Sequence, residues 1–469
     1  MNSALSIERE FLDAPIGDRR LQKRLCAIAT AVASAPDRSF PVSARSAAAL
    51  RATYRFVNSE TVTPDAVLRP HVLQTAARAA EVGCALVVHD TTQFEFPGEA
   101  EREGLGFVRS RDDQGFSLHC ALAVAADGSR RPLGVVAQHT WTRTEKKPKR
   151  QRGGETFKDP KRESKRWGNL VDEVEDRLGS LPVVHVMDCE ADAFPLLQSL
   201  VQNERRFVIR MRQDRVVLDE DDERAGYASE PIATAPWKVR FAVPLSRRSA
   251  RRMPGATHDQ RSERSATLSV SSTRIRLKAP VYIAAADRDP VDINVVHVIE
   301  MDPPEDDEPV SWVLLTTEPN STADDVLRVI EMYRTRWLIE EFFKALKSGC
   351  AVEKRQLESY DALANALAIF IPIAWQLLLL RSLHRTRADD PAELVLTPTQ
   401  IDVLRARLPK LMPASATVDH ALRAIAYLGG HFIKKLPGWQ VLGRGFDELL
   451  KLEEGWRLAQ NYAERSGQS

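Results

Sequence analysis

Two apolar runs in this sequence end in aspartate. ALVVHD reaches Asp90 and is followed by Thr91 and Thr92, and LPVVHVMD reaches Asp188 and is followed by C-E-A-D. Both read as buried strands, and ligands of open sheets gather beyond the carboxyl ends of strands, so both carboxylates are expected there. A third acid lies in TADDVLRVIEMYRTRWLIEEFFKALKSG. This reads as one long helix with Thr322 as its cap, Asp324 and Asp325 in its first turn and a stop near Gly349. Tyr333, Arg336, Glu340 and Lys347 stand at i, i+3, i+7 and i+14 of it, or roughly 0°, −60°, −20° and −40° on the helical wheel. A carboxylate set between an arginine and a lysine, with a phenol one turn away and Trp337 adjacent, suits a metal ligand flanked by phosphate-holding donors. Three such acids could hold two hard cations about 3.5 to 4 Å apart, one activating the nucleophile and one the leaving oxygen of a phosphoryl transfer. Taken singly, each aspartate reads equally as a turn residue, and the charged stripe as a solvated helix face.

Elements must exist to bring these residues together, and the chain has the length for them. At about 150 residues per domain, 469 residues make two to four domains. Hydrophobic residues are 43% and charged residues 28%, which excludes a disordered or collagen-like chain. The 66 basic residues nearly cancel 65 acidic ones, so a nucleic-acid partner has to show in the distribution of charge, not its sum. Cys26, Cys84, Cys120, Cys189 and Cys350 are scattered singly, which argues against structural zinc and fits a reducing compartment. MNSALSIEREFLDAPIGDRR has no apolar core behind a basic start, so no secretory signal is expected there. Ala362 to Leu380 is about long enough to span a membrane, but Asn365, Pro372 and Gln376 interrupt it, and it is expected as a buried helix.

Residues 1–70 read as short helices with ten Lys/Arg against seven Asp/Glu; Arg20, Lys23 and Arg24 lie on the first of them. From Glu81 the pattern turns to strands: ALVVHD, FSLHCALAVA, RPLGVVAQHTW, then LPVVHVMD and RFVIRM. Helical stretches ESKRWGNLVDEVEDRL and DAFPLLQSLVQ separate the later ones. That order describes an antiparallel meander continued by βα units, as in the ribonuclease H-like fold. Residues 212–310 look like a β-rich insertion with WKVRFAVPL, ATLSVSSTRIRL and VYIAAA as strands, and the chain from about 381 looks helical and charged.

Y-x-x-R-x-x-x-E-x-x-x-x-x-x-K, together with Asp90-Thr-Thr and D-x-E-A-D at Asp188, resembles the bacterial DDE transposases of the insertion-sequence-four family, with its Tn-five branch nearest. GDRR, TYRFVN, NERRFVIR, SWVLLTTEP, AVEKRQLE and YLGGHF extend the likeness along nearly the whole chain. The resemblance implies a ribonuclease H-like catalytic core in which Asp90, Asp188 and Glu340 are the catalytic metal ligands for two Mg²⁺ ions, with Mn²⁺ as substitute. It implies that Tyr333, Arg336, Lys347 and Arg210 contact DNA near the cut, and that Trp312 receives a base flipped from the opposite strand; a core tryptophan is the bland alternative. It further implies terminal inverted repeats and target DNA as partners, a homodimer in the synaptic complex, no membrane, and a bacterial cytoplasm close to the nucleoid.

Arg143 to Arg166 holds eleven Lys/Arg against four Asp/Glu, and its KKPKRQRGGE reads as a loop. It is more basic than the resemblance explains, so Lys146, Lys147, Lys149, Arg150 and Arg152 are expected to touch DNA without regard to sequence. Arg247 to Arg264, six arginines against two acids, is a second such stretch. The expected organisation is a helical end-recognition domain at 1–70, a catalytic domain at 71–380 with the insertion at about 212–310, and a helical dimerisation domain at 381–469. Two alternatives share many of these features: a ribonuclease H-like structure-specific nuclease, and a domesticated DNA-binding protein without catalysis.

Overall fold

A computed structural model describes residues 7–466 apart from 35, 45, 99, 109–112, 144–164, 246, 248–250, 254–255, 259, 306, 308 and 432–436. The chain enters through helices α1 (Arg19–Ser34), α2 (Phe40–Ser43), α3 (Ala47–Val57) and α4 (Pro64–Val82). On α1 the periodic apolar residues Leu25, Ile28, Ala29 and Val32 are buried, while Arg20 and Lys23 are exposed. α4 closes at Gly83, whose φ of 81° only glycine adopts cheaply, and the chain turns directly into the sheet.

β1 (Ala85–Glu95), β2 (Gly106–Phe107), β3 (Gln114–Ala125) and β4 (Pro132–Trp141) form the antiparallel meander, with β3 paired to each of the others. Helix α5 (Lys165–Leu178) leads to β5 (Val183–Met187), parallel to β1, and α6 (Phe194–Gln202) leads to β6 (Arg206–Arg210), parallel to β5. This is the ribonuclease H-like core expected from the order of elements.

The next strands are β7 (Val216–Leu218), β8 (Arg224–Tyr227), β9 (Trp237–Leu245), β10 (Arg251–Met253), β11 (Ala256–His258), β12 (Arg264–Leu277), β13 (Val291–Met301) and β14 (Ser311–Thr316), with the short helix α7 (Ser229–Ala233) between β8 and β9. Apart from the separate β10–β11 ribbon they do not make a layer of their own. One twelve-stranded sheet runs β2-β3-β1-β5-β6-β14-β13-β12-β7-β8, with β4 beside β3 and β9 beside β12. The free edge of β6 is covered by β14 running antiparallel to it, which satisfies backbone groups that an exposed edge would leave open. VYIAAA is not the strand expected. Pro280 precedes it and cannot donate to a ladder, Val281 is 85% exposed, and the segment forms turns ending in a short 3₁₀ stretch at Ala285–Asp287.

The long helix starts as expected. Thr322 accepts from the Asp325 amide and Asp325 accepts from the Thr322 amide, a complete capping box. Its backbone stays right-handed helical throughout, but it tightens at Arg336 (φ −49°, ψ −33°), between α8 (Ala323–Thr335) and α9 (Trp337–Lys344), and Ala345–Gly349 winds as a π turn. An i→i+5 turn rotates less per residue, so the 100° count fails for Lys347.

Helix α10 (Tyr360–Thr386) is apolar all round and long enough to cross a membrane, yet 94% of its most apolar stretch is buried inside the protein. Its polar groups are used internally: Asn365 donates to the Val57 carbonyl at 3.0 Å and the Trp375 indole to Pro132 at 3.0 Å. The helix thereby locks α3 and β4 to one another. α11 (Pro398–Arg407), α12 (Val418–Leu428) and α13 (Trp439–Ser466) complete the chain, and residues of both helical ends join β1 and β3 in a single apolar cluster.

Candidate active site

β1 and β5 run parallel with His89 opposite Met187, so the next residues, Asp90 and Asp188, lie at the same level of two neighbouring strands. Asp188 stands just past its strand, as expected, and its carboxylate accepts from the Glu190 amide at 2.8 Å. Asp90 does not stand at a strand end. β3 pairs β1 through Glu95, and the β-branched Thr91 and Thr92 suit continued extension, so the carboxylate projects from mid-strand.

The helix delivers the rest. Arg336 sits at the junction of α8 and α9, with Nη1 3.4 Å from Asp90 Oδ2 and Nη2 donating to Glu340 Oε1 at 2.7 Å. One guanidinium therefore links the first acid to the third. One turn back, Tyr333 is 6% exposed and meets the Trp312 ring edge-on, with centroids 5.8 Å apart. Arg210 ends β6 opposite Leu314 and donates to the Ser311 carbonyl at 3.4 Å.

Burial and the nearby charge of Asp188 push the Asp90 carboxyl up from 3.8 to about 7; the Thr91 amide and Arg336 oppose this but are outweighed, and Glu340 adds to the rise. Burial likewise raises the Tyr333 phenol, against the pull of Arg336 and Arg210 and with the push of Asp188. Asp90 thus feels Asp188, Arg336 and Glu340, and Tyr333 feels Arg336, Arg210 and Asp188. Three carboxyls, Asp90, Asp188 and Glu340, stand there with two guanidiniums, Arg336 and Arg210.

Hard carboxylate oxygens in such a field fit Mg²⁺, which takes one or two carboxylates together with waters and substrate phosphates. Among the described residues no three His, Cys, Asp or Glu side chains gather tightly enough to grip an ion by themselves, and Arg336 lies between Asp90 and Glu340. The donor set thus suits an ion shared with a phosphate, not an all-protein cage.

Lys347 does not join this cluster. Its ammonium donates to the Gln93 carbonyl, lies 3.5 Å from Glu353 and covers the Phe94 ring, three and four residues further along β1 than Asp90. Trp312 is half-buried in the wall of a cleft of about 450 Å³ shared with Arg210, Phe241, Arg261, Leu268 and Ser311, so part of its ring faces open space. Arg20, Lys23 and Arg24 are elsewhere, beside a groove of about 540 Å³ between α1 and α3. Lys146, Lys147, Lys149, Arg150 and Arg152 lie outside the described residues. Of the second arginine-rich stretch, Arg264 is committed to Glu300, 2.9 Å away through each of two nitrogens, and is an internal ion-pair residue.

Sequence reasoning missed a row of histidines on the opposite face of the sheet. His89 Nε2 and His185 Nδ1 are 2.9 Å apart, His185 Nε2 is 2.9 Å from Glu175, and Thr91 Oγ1 is 2.9 Å from His119 Nδ1. Burial holds His89 well below 6.5 and His119 at about 3, so both are neutral. Because side chains alternate along a strand, these rings form the floor beneath β1 while Asp90 faces the helix. Histidine and threonine flanking Asp90 in H-D-T were the available signal.

The arrangement defines a class: a ribonuclease H-like core with three acids and a basic, aromatic surround, suited to phosphodiester chemistry. The transposase DDE domain family model matches residues 160–373, which include Asp188 and Glu340, and the transposase DNA-binding model matches residues 4–62. The chain therefore carries a DNA-binding module and a DDE module of DNA transposases, and a DDE module implies dependence on a divalent metal. Among solved structures, the chain is similar to the piggyBac transposase synaptic complex with hairpin DNA, determined by cryo-EM. Identity is 10% and the TM-score 0.30, over 80% of this chain and 54% of that one. The chain thus spans about half the length of that solved transposase.

Proposed function

We propose that the chain is a cut-and-paste DNA transposase of the insertion-sequence-four family, nearest its Tn-five branch, that excises an element by nicking, hairpin formation and hairpin opening and then joins it to target DNA. The observation that carries this reading is that Asp90 and Asp188 stand at one level of two parallel strands while Arg336 ties Asp90 to Glu340 on the helix. Those three acids would hold two Mg²⁺ ions, or Mn²⁺ in their place, and the ions when bound supply Lewis-acid activation of the attacking and leaving oxygens.

The chain's own residues do the remaining work. Burial and Asp188 push the Asp90 carboxyl up to about 7, so a cation held there would favour its ionised form. Arg336 orients Glu340, Tyr333 and Arg210 offer donors to the cut strand, and Lys347 a cation further along β1. Trp312 presents an indole face to a base that leaves the stack when the strand bends. Water nicks the transferred strand, the freed 3′-OH attacks the opposite strand to close a hairpin, a second water opens it, and the 3′-OH attacks the target. Each step hydrolyses or exchanges one phosphodiester, so neither ATP nor a covalent enzyme intermediate is required.

In this reading the helices up to about residue 70, with Arg20, Lys23 and Arg24, read the terminal inverted repeat, 71–380 perform catalysis, and helices beyond 381 join two copies. The enzyme works in a bacterial cytoplasm against the nucleoid. Asp90→Ala, Asp188→Ala and Glu340→Ala should each abolish nicking of end DNA in Mg²⁺ while binding in Ca²⁺ stays within a few-fold. Substantial Mg²⁺-dependent cleavage by any of the three would overturn the assignment.

A further inference from the structure

The last residue of the D-x-E-A-D string is not part of the acidic cluster. The Asp192 carboxylate is wholly buried; its Oδ2 accepts from the amides of Arg212 at 2.7 Å and Gln213 at 2.8 Å, and its Oδ1 lies 2.6 Å from Arg215 Nη1. Arg215 is itself 8% exposed and donates through Nη2 back to the Asp192 carbonyl at 2.8 Å. The two residues hold each other by main chain and side chain.

What they join matters more than the bond itself. Asp192 follows Asp188 by one 3₁₀ turn, Cys189–Ala191, and so anchors the loop past β5 that carries the second acid. Arg212 and Gln213 lie in the turn past β6, two and three residues after Arg210, and the intervening Met211 is tied to Val313 of β14 by a backbone hydrogen bond of 2.8 Å. β5 and β6 are parallel neighbours, and strand pairing ends at Met187 and Ile209, short of Asp188 and Arg210. Past that point nothing in the β5–β6 ladder fixes one strand end against the other. The Asp192 carboxylate takes over, accepting the two amides that the ladder leaves unpaired.

We propose that Asp192 and Arg215 are a buried positioning pair that sets Asp188 and Arg210 at fixed separation. The inference rests on the reading of Asp188 as a metal ligand. Neither residue touches DNA or metal; both act through the loop. Asn at 192 can still accept both amides, but its NH₂ then faces the Arg215 guanidinium donor to donor, so Asp192→Asn breaks the ion pair selectively. Arg215→Lys keeps a charge but not the fork that grips side chain and carbonyl together.

The test uses the full-length protein with end DNA, comparing wild type, Asp192→Asn, Arg215→Lys and Asp188→Ala. Melting of the end-DNA complex is followed as Ca²⁺ is added, beside the Mg²⁺ dependence of nicking. For Asp192→Asn, both half-saturating metal concentrations should rise about tenfold or more, with end binding in the absence of metal within threefold of wild type and Arg215→Lys intermediate. Metal dependence equal to wild type in both positioning variants, whatever the fall in melting temperature, would reduce the pair to ordinary packing and overturn the proposal. Should Asp192→Asn fail to fold, Arg215→Lys decides alone: a several-fold shift supports the pair and an unchanged midpoint refutes it. Asp188→Ala separates the two levels of the argument, because if it still nicks, the site assignment is wrong, whereas if it is dead and Asp192→Asn is normal, only the positioning role fails.

Discussion

Asp90→Asn should make the metal-free protein more stable while destroying its activity. The Asp90 carboxyl ionises at about 7 in the folded protein against 3.8 for an unperturbed one, chiefly because it is buried and next because Asp188 is near. About 3 pH units at 1.36 kcal/mol each amount to about 4 kcal/mol of native-state cost. The sign follows from which state holds the proton. The unfolded chain loses it near 3.8 and the folded protein keeps it until about 7, so the favourable neutral form contributes fully below 3.8 and is lost as pH rises through 7. Asparagine is neutral throughout. It gives up the 3.4 Å contact to Arg336, which keeps Glu340 at 2.7 Å, a loss of about 1 kcal/mol. The net gain is about 3 kcal/mol at pH 8 and under about 1 kcal/mol at pH 5. With an unfolding entropy of about 2.1 cal/mol/K per residue, a chain of 469 residues shifts about 1 °C per kcal/mol. Thermal melts in EDTA should place the variant about 3 °C above wild type at pH 8, with the gap shrinking toward pH 5. Added Mg²⁺ should narrow it by stabilising only the wild type. A variant melting at or below wild type at pH 8, or a gap equal at both pH values, would refute the argument.

Trp312→Ala should let the first nick proceed and slow hairpin closure about tenfold or more, because an indole platform is worth about 1 to 3 kcal/mol to a flipped base. A time course separating nicked from hairpin DNA, run beside a thermal melt, checks this; loss of both steps in parallel with melting temperature would show that the ring only packs. Neutralising Lys146, Lys147, Lys149, Arg150 and Arg152 together should weaken binding to any DNA and flatten its salt dependence by about 0.9 in log–log slope per lost phosphate contact. An unchanged slope in a filter-binding titration would mean that this tract does not touch DNA.

Much of the site could be read from residue order. Strand-period apolar runs ending near Asp90 and Asp188, and the spacing of Tyr333, Arg336 and Glu340, named the cluster, because strand and helix periodicities are local properties that dictate which side chains share a face. The capping box at Thr322, the buried nature of 362–380 and the meander-then-βα order were legible for the same reason. These are statements about neighbours in sequence.

Other features depend on partners distant in sequence, and there the sequence was silent or misleading. Asp90 lies in mid-strand because β3, met some twenty residues later, keeps pairing β1 through Glu95. The strands after 212 are joined to the core sheet because β14 returns from beyond residue 310 to cover the open edge of β6, an attachment that residue order does not show. Lys347 shares a helical face with Glu340 by counting, yet a π turn and the Gln93 carbonyl carry it away from the acids. Asp192 reads as one more acid of a motif, and only its burial against Arg215 and the 212–213 amides makes it an anchor. Sequence by itself determined which side chains are chemically able to act and, where strand or α-helix geometry is regular, on which face they stand. The tertiary structure decided their company, since burial, ion pairing and the raised pKa of Asp90 all arise from chain segments that only packing brings together.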